Sequence, residues 1–263
     1  MATMATPEEI ARQKIDVQLT QAGWVIQDRS DFDRTAAFGV AVREFLMDDG
    51  TEADYLLFSD GKAIGVIEAK PAGFTLSGVE SQSKGYSCQL PEYVKNWMMP
   101  LPFIYESTGD ETFFCDARDE TARSRRVFSF HKPETLLGLV KDSDTLRNRL
   151  KYFPALDETG LRDCQVEAIN GLEESFYHNQ PKSLIQMATG AGKTYTSCNF
   201  VYRLLKYGKA KRILFLVDRN NLGRQARKEF ENFKPRDENR AFTDIYIAQH
   251  LSHFLFQYFP YHP

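Results

Sequence analysis

Asp54, Glu68 and Lys70 are residue types that together can hydrolyse a phosphodiester with a divalent cation: a carboxylate and, 14 positions on, a second carboxylate two places before a lysine. If Ala63 to Lys70 is a strand, Glu68 and Lys70 share a face, because side chains alternate with a period of two. Two carboxylates can ligate a hard cation such as Mg2+, and a neighbouring ammonium can orient or activate a water and stabilise the developing phosphorane charge. A surface ion pair is the plain alternative. This pair, however, closes the apolar run AIGVIEAK, where a merely solvated pair is less expected.

A second group, Met187 to Thr194 (MATGAGKT), follows the β-type run Leu184-Ile185-Gln186 and precedes an amphipathic stretch ending at Gly208. Strand, glycine-rich loop and helix in this order make a phosphate-binding loop. Gly190, Ala191 and Gly192 let the backbone N–H groups wrap a phosphate at a helix N-terminus. Lys193 would reach the β and γ phosphates of ATP, and the Thr194 hydroxyl would hold Mg2+. Met187 stands where the general pattern has glycine.

The elements around the first group must satisfy a counting condition. Val40 to Phe45, Tyr55 to Phe58 and Ala63 to Ile67 read as strands, with Ser59-Asp60-Gly61-Lys62 as the turn between the last two. A regular two-residue loop at Asp60-Gly61 would set Asp54 across from Ile67, on the face opposite Glu68. No single cation could then bind both carboxylates. A working site needs the register moved by one, through a three-residue loop Asp60-Gly61-Lys62 or a bulge in either strand.

Helices are predicted over Pro7 to Ala22, Gly78 to Trp97 and Pro133 to Val140, and further strands over Pro102 to Glu106, Thr112 to Cys115 and Val127 to Phe130. A polar stretch then leads into helix (Leu161 to His178), strand (Ser183 to Met187), helix (Gly192 to Tyr207), strand (Arg212 to Val217) and helix (Leu222 to Phe233). This alternation implies a parallel sheet of βαβ units.

With 42% hydrophobic and 26% charged residues the chain is neither disordered nor fibrous, and 263 residues suffice for two domains. No apolar run approaches the roughly 18 residues that span a bilayer, and no secretory pattern opens the chain, so a cytoplasmic protein without a membrane partner is expected. Cys88, Cys115, Cys164 and Cys198 have neither zinc-site nor disulfide spacing and read as small core residues. The net charge of −3 leaves any nucleic-acid surface to be local. Arg203 to Arg240, with 12 Lys/Arg against 5 Asp/Glu, is the candidate, and solvated helix faces are its plain alternative.

Several segments resemble known families. LRDCQVEAI, upstream of the phosphate loop, resembles the segment that opens superfamily 2 helicase cores, which implies that Gln165 reads adenine. ILFLVDRNNLGRQA resembles motif Ia of the same superfamily, which implies nucleic-acid contact by Arg219 and Gln225, with Asp218 also at a motif position. The order of Asp54, Glu68-Ala69-Lys70, Gln82-x-x-x-Tyr86 and a translocase core resembles the R (restriction/translocation, HsdR-type) subunit of type I restriction endonucleases. The likeness runs from ARQKIDVQLTQAGW through GVIEAKP, ESQSKGY and MATGAGKT to FLVDRNNL; Ala53 replaces the proline usual before the first carboxylate.

That resemblance implies an α/β chain: a PD-(D/E)xK endonuclease domain of α+β type (1–145), a linker (146–160) and a partial RecA-like parallel-sheet helicase lobe (161–263). It implies an ATP-dependent type I site-specific deoxyribonuclease that uses Mg2+ and ATP. Asp54 and Glu68 would be metal ligands, Lys70 catalytic, and Gln82 and Tyr86 supports of the site. Double-stranded DNA and the methylation and specificity subunits would be its partners. The superfamily also requires an Asp-Glu closing a hydrophobic strand, and none of the Asp-Glu pairs here does so. The chain is therefore expected to be an N-terminal fragment with half an ATPase site. Two alternatives stay open: a stand-alone helicase–nuclease of defence or repair, and a non-cutting DNA-binding motor subunit.

Overall fold

The structure is a computed structural model describing residues 6–74, 76, 89–218 and 220–250. It divides between Thr145 and Leu146 into two compact units.

The first unit opens with α1 (Pro7–Gln21). Its start is fixed locally: Thr6 Oγ1 accepts from the Glu9 amide and the Glu9 carboxylate accepts from the Thr6 amide, with Pro7 in the first turn. Seven strands follow in one sheet: β1 (Val25–Gln27), β2 (Gly39–Leu46), β3 (Glu52–Ser59), β4 (Lys62–Ala69), β5 (Phe103–Ser107), β6 (Thr112–Asp116) and β7 (Arg125–Val127). Each strand pairs with its sequence neighbour; the β1–β2 and β4–β5 pairs are parallel and the rest antiparallel. After β7 comes α2 (Pro133–Lys141). Ile15 and Leu19 of α1 and Leu136 of α2 pack with Tyr55, Leu57, Ile67, Tyr105 and Phe114 on one side of the sheet. On the other side Phe32, Val94 and Leu101 cover Leu56, Phe58, Val66 and Ile104. Each fully buried aliphatic side chain here contributes about 2 kcal/mol.

Two sequence expectations for this unit change, and the first is the strand predicted over Val127 to Phe130, which forms instead as β7 at Arg125–Val127. Of the helix predicted over Gly78 to Trp97, residues 78–88 lie outside those described, and 89–97 are not helical. The Ala63 amide donates to Lys95 O and the Trp97 amide to Ala63 O, so this segment bridges to β4 at Ala63↔Asn96. Pro91 lacks the amide a helix would use there. The short strand β1 carried too little pattern to be predicted.

The second unit contains α3 (Leu146–Arg149), α4 (Asp163–Tyr177), α5 (Lys193–Lys206), α6 (Asn220–Asn232) and α7 (Phe242–Ile245). Its core gathers Cys198, Val201 and Tyr202 of α5 with Phe230, Phe233 and Phe242. The predicted parallel sheet is not found: among the described residues of this unit there is no strand. The runs expected to form it, 183–187 and 212–217, have no ladder, and Leu184, Leu214 and Leu216 are at least 70% exposed. A run of β-type residues becomes a strand only when a second backbone saturates its N–H and C=O groups, a condition that its own composition cannot supply. Cys115 and Cys198 are buried, as expected of core residues, whereas Cys164 in α4 is exposed. Among the described residues no helix is long and apolar enough to cross a membrane.

Candidate functional site

The β3–β4 hairpin turns through Asp60 and Gly61, both at positive φ (51° and 70°), so the loop has two residues and Ser59 pairs with Lys62. The register does not stay there. Phe58 pairs with Ala63 but Leu57 pairs with Gly65, leaving Ile64 as an extra residue in β4. The side chains record the bulge too. Ala63 and Val66 belong to one core cluster and Ile64 and Ile67 to the other, a spacing of three in a strand that otherwise alternates by two. Beyond it the pairs run Leu56↔Val66 and Tyr55↔Ile67, and one step further places Asp54 opposite Glu68.

The surroundings fit that register. Asp54 Oδ2 accepts from the Ala69 amide at 2.8 Å, and Oδ1 is held by the Arg12 guanidinium of α1. Lys70 Nζ lies 2.9 Å from Glu68 Oε1. Burial is the main cause raising the Asp54 carboxyl above its ordinary range, against the lowering effects of the Ala69 hydrogen bond and Arg12. Glu68 is raised as well, first by burial and further by the charges of Asp54 and Glu106, with Lys70 opposing.

Two residues at this site had not been picked out in the sequence. Glu106 of β5 is buried and pairs in register with Glu68. Its signal was available, since it stands at the end of the apolar run Phe103-Ile104-Tyr105 as Glu68 does in β4. Arg12 had no signal, because only the packing of α1 brings it to Asp54. Gln82 and Tyr86 lie outside the described residues.

Among the described residues no three or more His, Cys, Asp or Glu side chains form a group that could hold a metal ion. Asp54 and Glu68 suit a hard cation that takes only one or two carboxylates and completes its shell with water and substrate phosphate oxygens. Asp54 and Glu68, both raised chiefly by desolvation, are the donor set that such a cation would relieve.

In the second unit the loop 187–194 runs into α5. Gly190 and Gly192 have φ of 77° and 84°, and Gly192 caps the helix. These left-handed positions turn the loop back over the helix start. Lys193 Nζ donates to Met187 O and Ala188 O at 2.7 and 2.8 Å, lying over the loop where phosphate would enter. Thr194 is half-buried on the first turn of α5. Gln165 is buried at the start of α4; its Oε1 accepts from the Arg162 amide and its Nε2 donates to Ala191 O at 3.2 Å. Arg162 also donates to Gly190 O. A side chain at Gly192 would strike the Gln165 amide, so Gln165 is packed against the loop.

Gln225 is exposed on α6, as is Asp218 before it, and Arg219 lies outside the described residues. Part of the basic stretch is internally neutralised: Lys206 pairs with Asp237 and Glu238, Arg203 with Glu173, and Arg227 with Glu231.

Over 95% of its length the chain is 30% identical to the EcoKI endonuclease subunit, a type I restriction enzyme subunit of Escherichia coli (strain K12). The chain is homologous to the endonuclease subunits of type I restriction enzymes. The EcoAI endonuclease subunit of Escherichia coli is 31% identical over 70% of the chain. This homologue of the type I endonuclease subunits spans 26% and 23% of the length of those two relatives. The family model described as "Type III restriction enzyme, res subunit" matches residues 158–253. A solved fragment described as an HsdR subunit of a type I restriction enzyme from Vibrio vulnificus YJ016 aligns with 79% of the chain and 39% of its own, at 23% identity and a TM-score of 0.37.

Proposed function

We propose that the Asp54, Glu68 and Lys70 end of the sheet is a PD-(D/E)xK-type endonuclease site, and that the loop 187–194 binds ATP to drive translocation along double-stranded DNA. The protein would be part of the restriction subunit of a type I restriction–modification system, acting with methylation and specificity subunits. The observation that carries the reading is the Ile64 bulge, which aligns Asp54 with Glu68 while Lys70 stays at Glu68.

A bound Mg2+ would supply Lewis acidity at the phosphoryl oxygens and a more acidic water. Asp54 and Glu68 would hold that ion, with the Ala69 amide fixing the rotamer of Asp54. Lys70, hydrogen-bonded to Glu68, would orient the attacking water and balance charge on the phosphorane. In the second unit Lys193 would leave Met187 O and Ala188 O for the β and γ phosphates, Thr194 would bind the nucleotide's Mg2+, and Gln165 would brace the loop and read adenine. The cutting role is tested with the full-length protein and its partner subunits on unmethylated circular DNA with Mg2+ and ATP. Glu68→Ala and Lys70→Ala should each abolish cleavage and leave ATP turnover in place; undiminished cleavage by both variants rules the reading out.

A further inference from the structure

Arg12 stands where an added cation would act. Its Nη2 holds Asp54 Oδ1 and lies 3.2 Å from Glu8 Oε1, while its Nη1 is 2.8 Å from Glu44 Oε1. Of these three acceptors only Asp54 is buried; Glu8 and Glu44 are more than half exposed. Glu44 lies directly across from Asp54, between the pairs Arg43↔Tyr55 and Phe45↔Ala53, at a φ of 48° in the middle of β2. A non-glycine residue rarely adopts that conformation inside a strand, and such strain clusters at functional sites. With Glu106, which pairs with Glu68, there are carboxylates on four adjacent strands: Glu44 of β2, Asp54 of β3, Glu68 of β4 and Glu106 of β5. Arg12 holds two of these four.

We propose that Arg12 is a positioning residue that governs cation entry: it neutralises Asp54 in the cation-free site, and Glu44 with Glu8 retains it when a divalent cation takes Asp54. The inference rests on the nuclease reading above. A guanidinium and a dication on the same half-desolvated carboxylate repel strongly, so one must yield. Arg12 then lowers cation affinity, and Glu44 raises it by favouring the displaced arrangement.

Mn2+ binding to the full-length protein, without DNA or nucleotide, is read from the electron paramagnetic resonance signal of the free ion. Arg12→Gln should bind Mn2+ about tenfold more tightly, the size of one charge-assisted contact. Glu44→Gln should bind it several-fold less tightly, and its effect should vanish in the Arg12→Gln background, because it acts through Arg12. Arg12→Lys should fall between wild type and Arg12→Gln, since a lysine cannot bridge three carboxylates, and it serves alone if Arg12→Gln does not fold. Unchanged or weaker binding in the Arg12 variants, or a Glu44 effect that persists without Arg12, overturns the inference alone. Equal Mn2+ binding by wild type and Asp54→Asn overturns the nuclease reading and this inference with it.

Discussion

Tyr55 pairs with Ile67 because β4 carries one residue more than β3 beyond the turn, Ile64, and this register continued by one step sets Asp54 opposite Glu68. The two-residue turn alone would have put Ile67 there and the carboxylates on opposite faces.

Gly65, at the bulge, is the sensitive point. A methyl at this position would meet Phe103 O at 2.5 Å and Phe103 Cβ at 3.0 Å, both on the neighbouring strand. Gly65→Ala should therefore push β4 from β5 and destabilise the first unit by about 1–3 kcal/mol. Cleavage should fall at temperatures where the fold persists, since Glu68 and Glu106 share that interface. Urea denaturation beside a DNA nicking assay checks both effects.

Glu68→Gln should reduce cleavage about a hundredfold or more, as for loss of a group that stabilises the transition state, yet stabilise the fold near neutral pH. The folded-state carboxyl is raised, so folding favours its protonated form, and wild type loses stability as pH rises past the ordinary carboxylate range. The melting advantage of the variant should grow from acid to neutral pH. A variant less stable at pH 7 would contradict this account.

His131 offers a separate pH test. Burial, with a smaller push from Arg125, lowers its pKa to about 4, and its Nδ1 lies 2.7 Å from the Tyr105 hydroxyl. The unfolded chain takes up the proton first, near 6.5, so the contribution is complete above that pH and is lost as pH falls towards 4. The loss is on the order of 3 kcal/mol at most. Chemical denaturation of the protein across this window should show the slope, and His131→Gln should remove it.

Lys193→Ala should weaken ATP binding at least about tenfold, the worth of a charge-assisted phosphate contact. The melting of the first unit should not move, because the two compact units have separate cores. If the loop drives translocation as proposed, that activity should stop as well. Calorimetric titration with ATP and a two-transition melt give the readouts, and collapse of the first unit in the variant would count against this independence.

Short-range features are written in local residue patterns. The capping pattern at Thr6 and Glu9 starts α1, runs of β-type residues mark β2 to β6, and Gly190 and Gly192 before Lys193 shape the loop 187–194, all through interactions among near neighbours. The sequence also limited the hairpin to a few registers, of which only some bring Asp54 to Glu68. Tertiary structure chose among them: the bulge sits where Ala63 turns its amide to Lys95 and its carbonyl to Trp97, 32 and 34 residues along the chain. Arg12 at Asp54 and Glu106 beside Glu68 likewise depend on helix packing and strand order, which no local pattern encodes. The same physics explains why 183–187 and 212–217 read as strands yet form no ladder. Side-chain composition sets what a segment prefers, but a strand exists only once another backbone hydrogen-bonds to it.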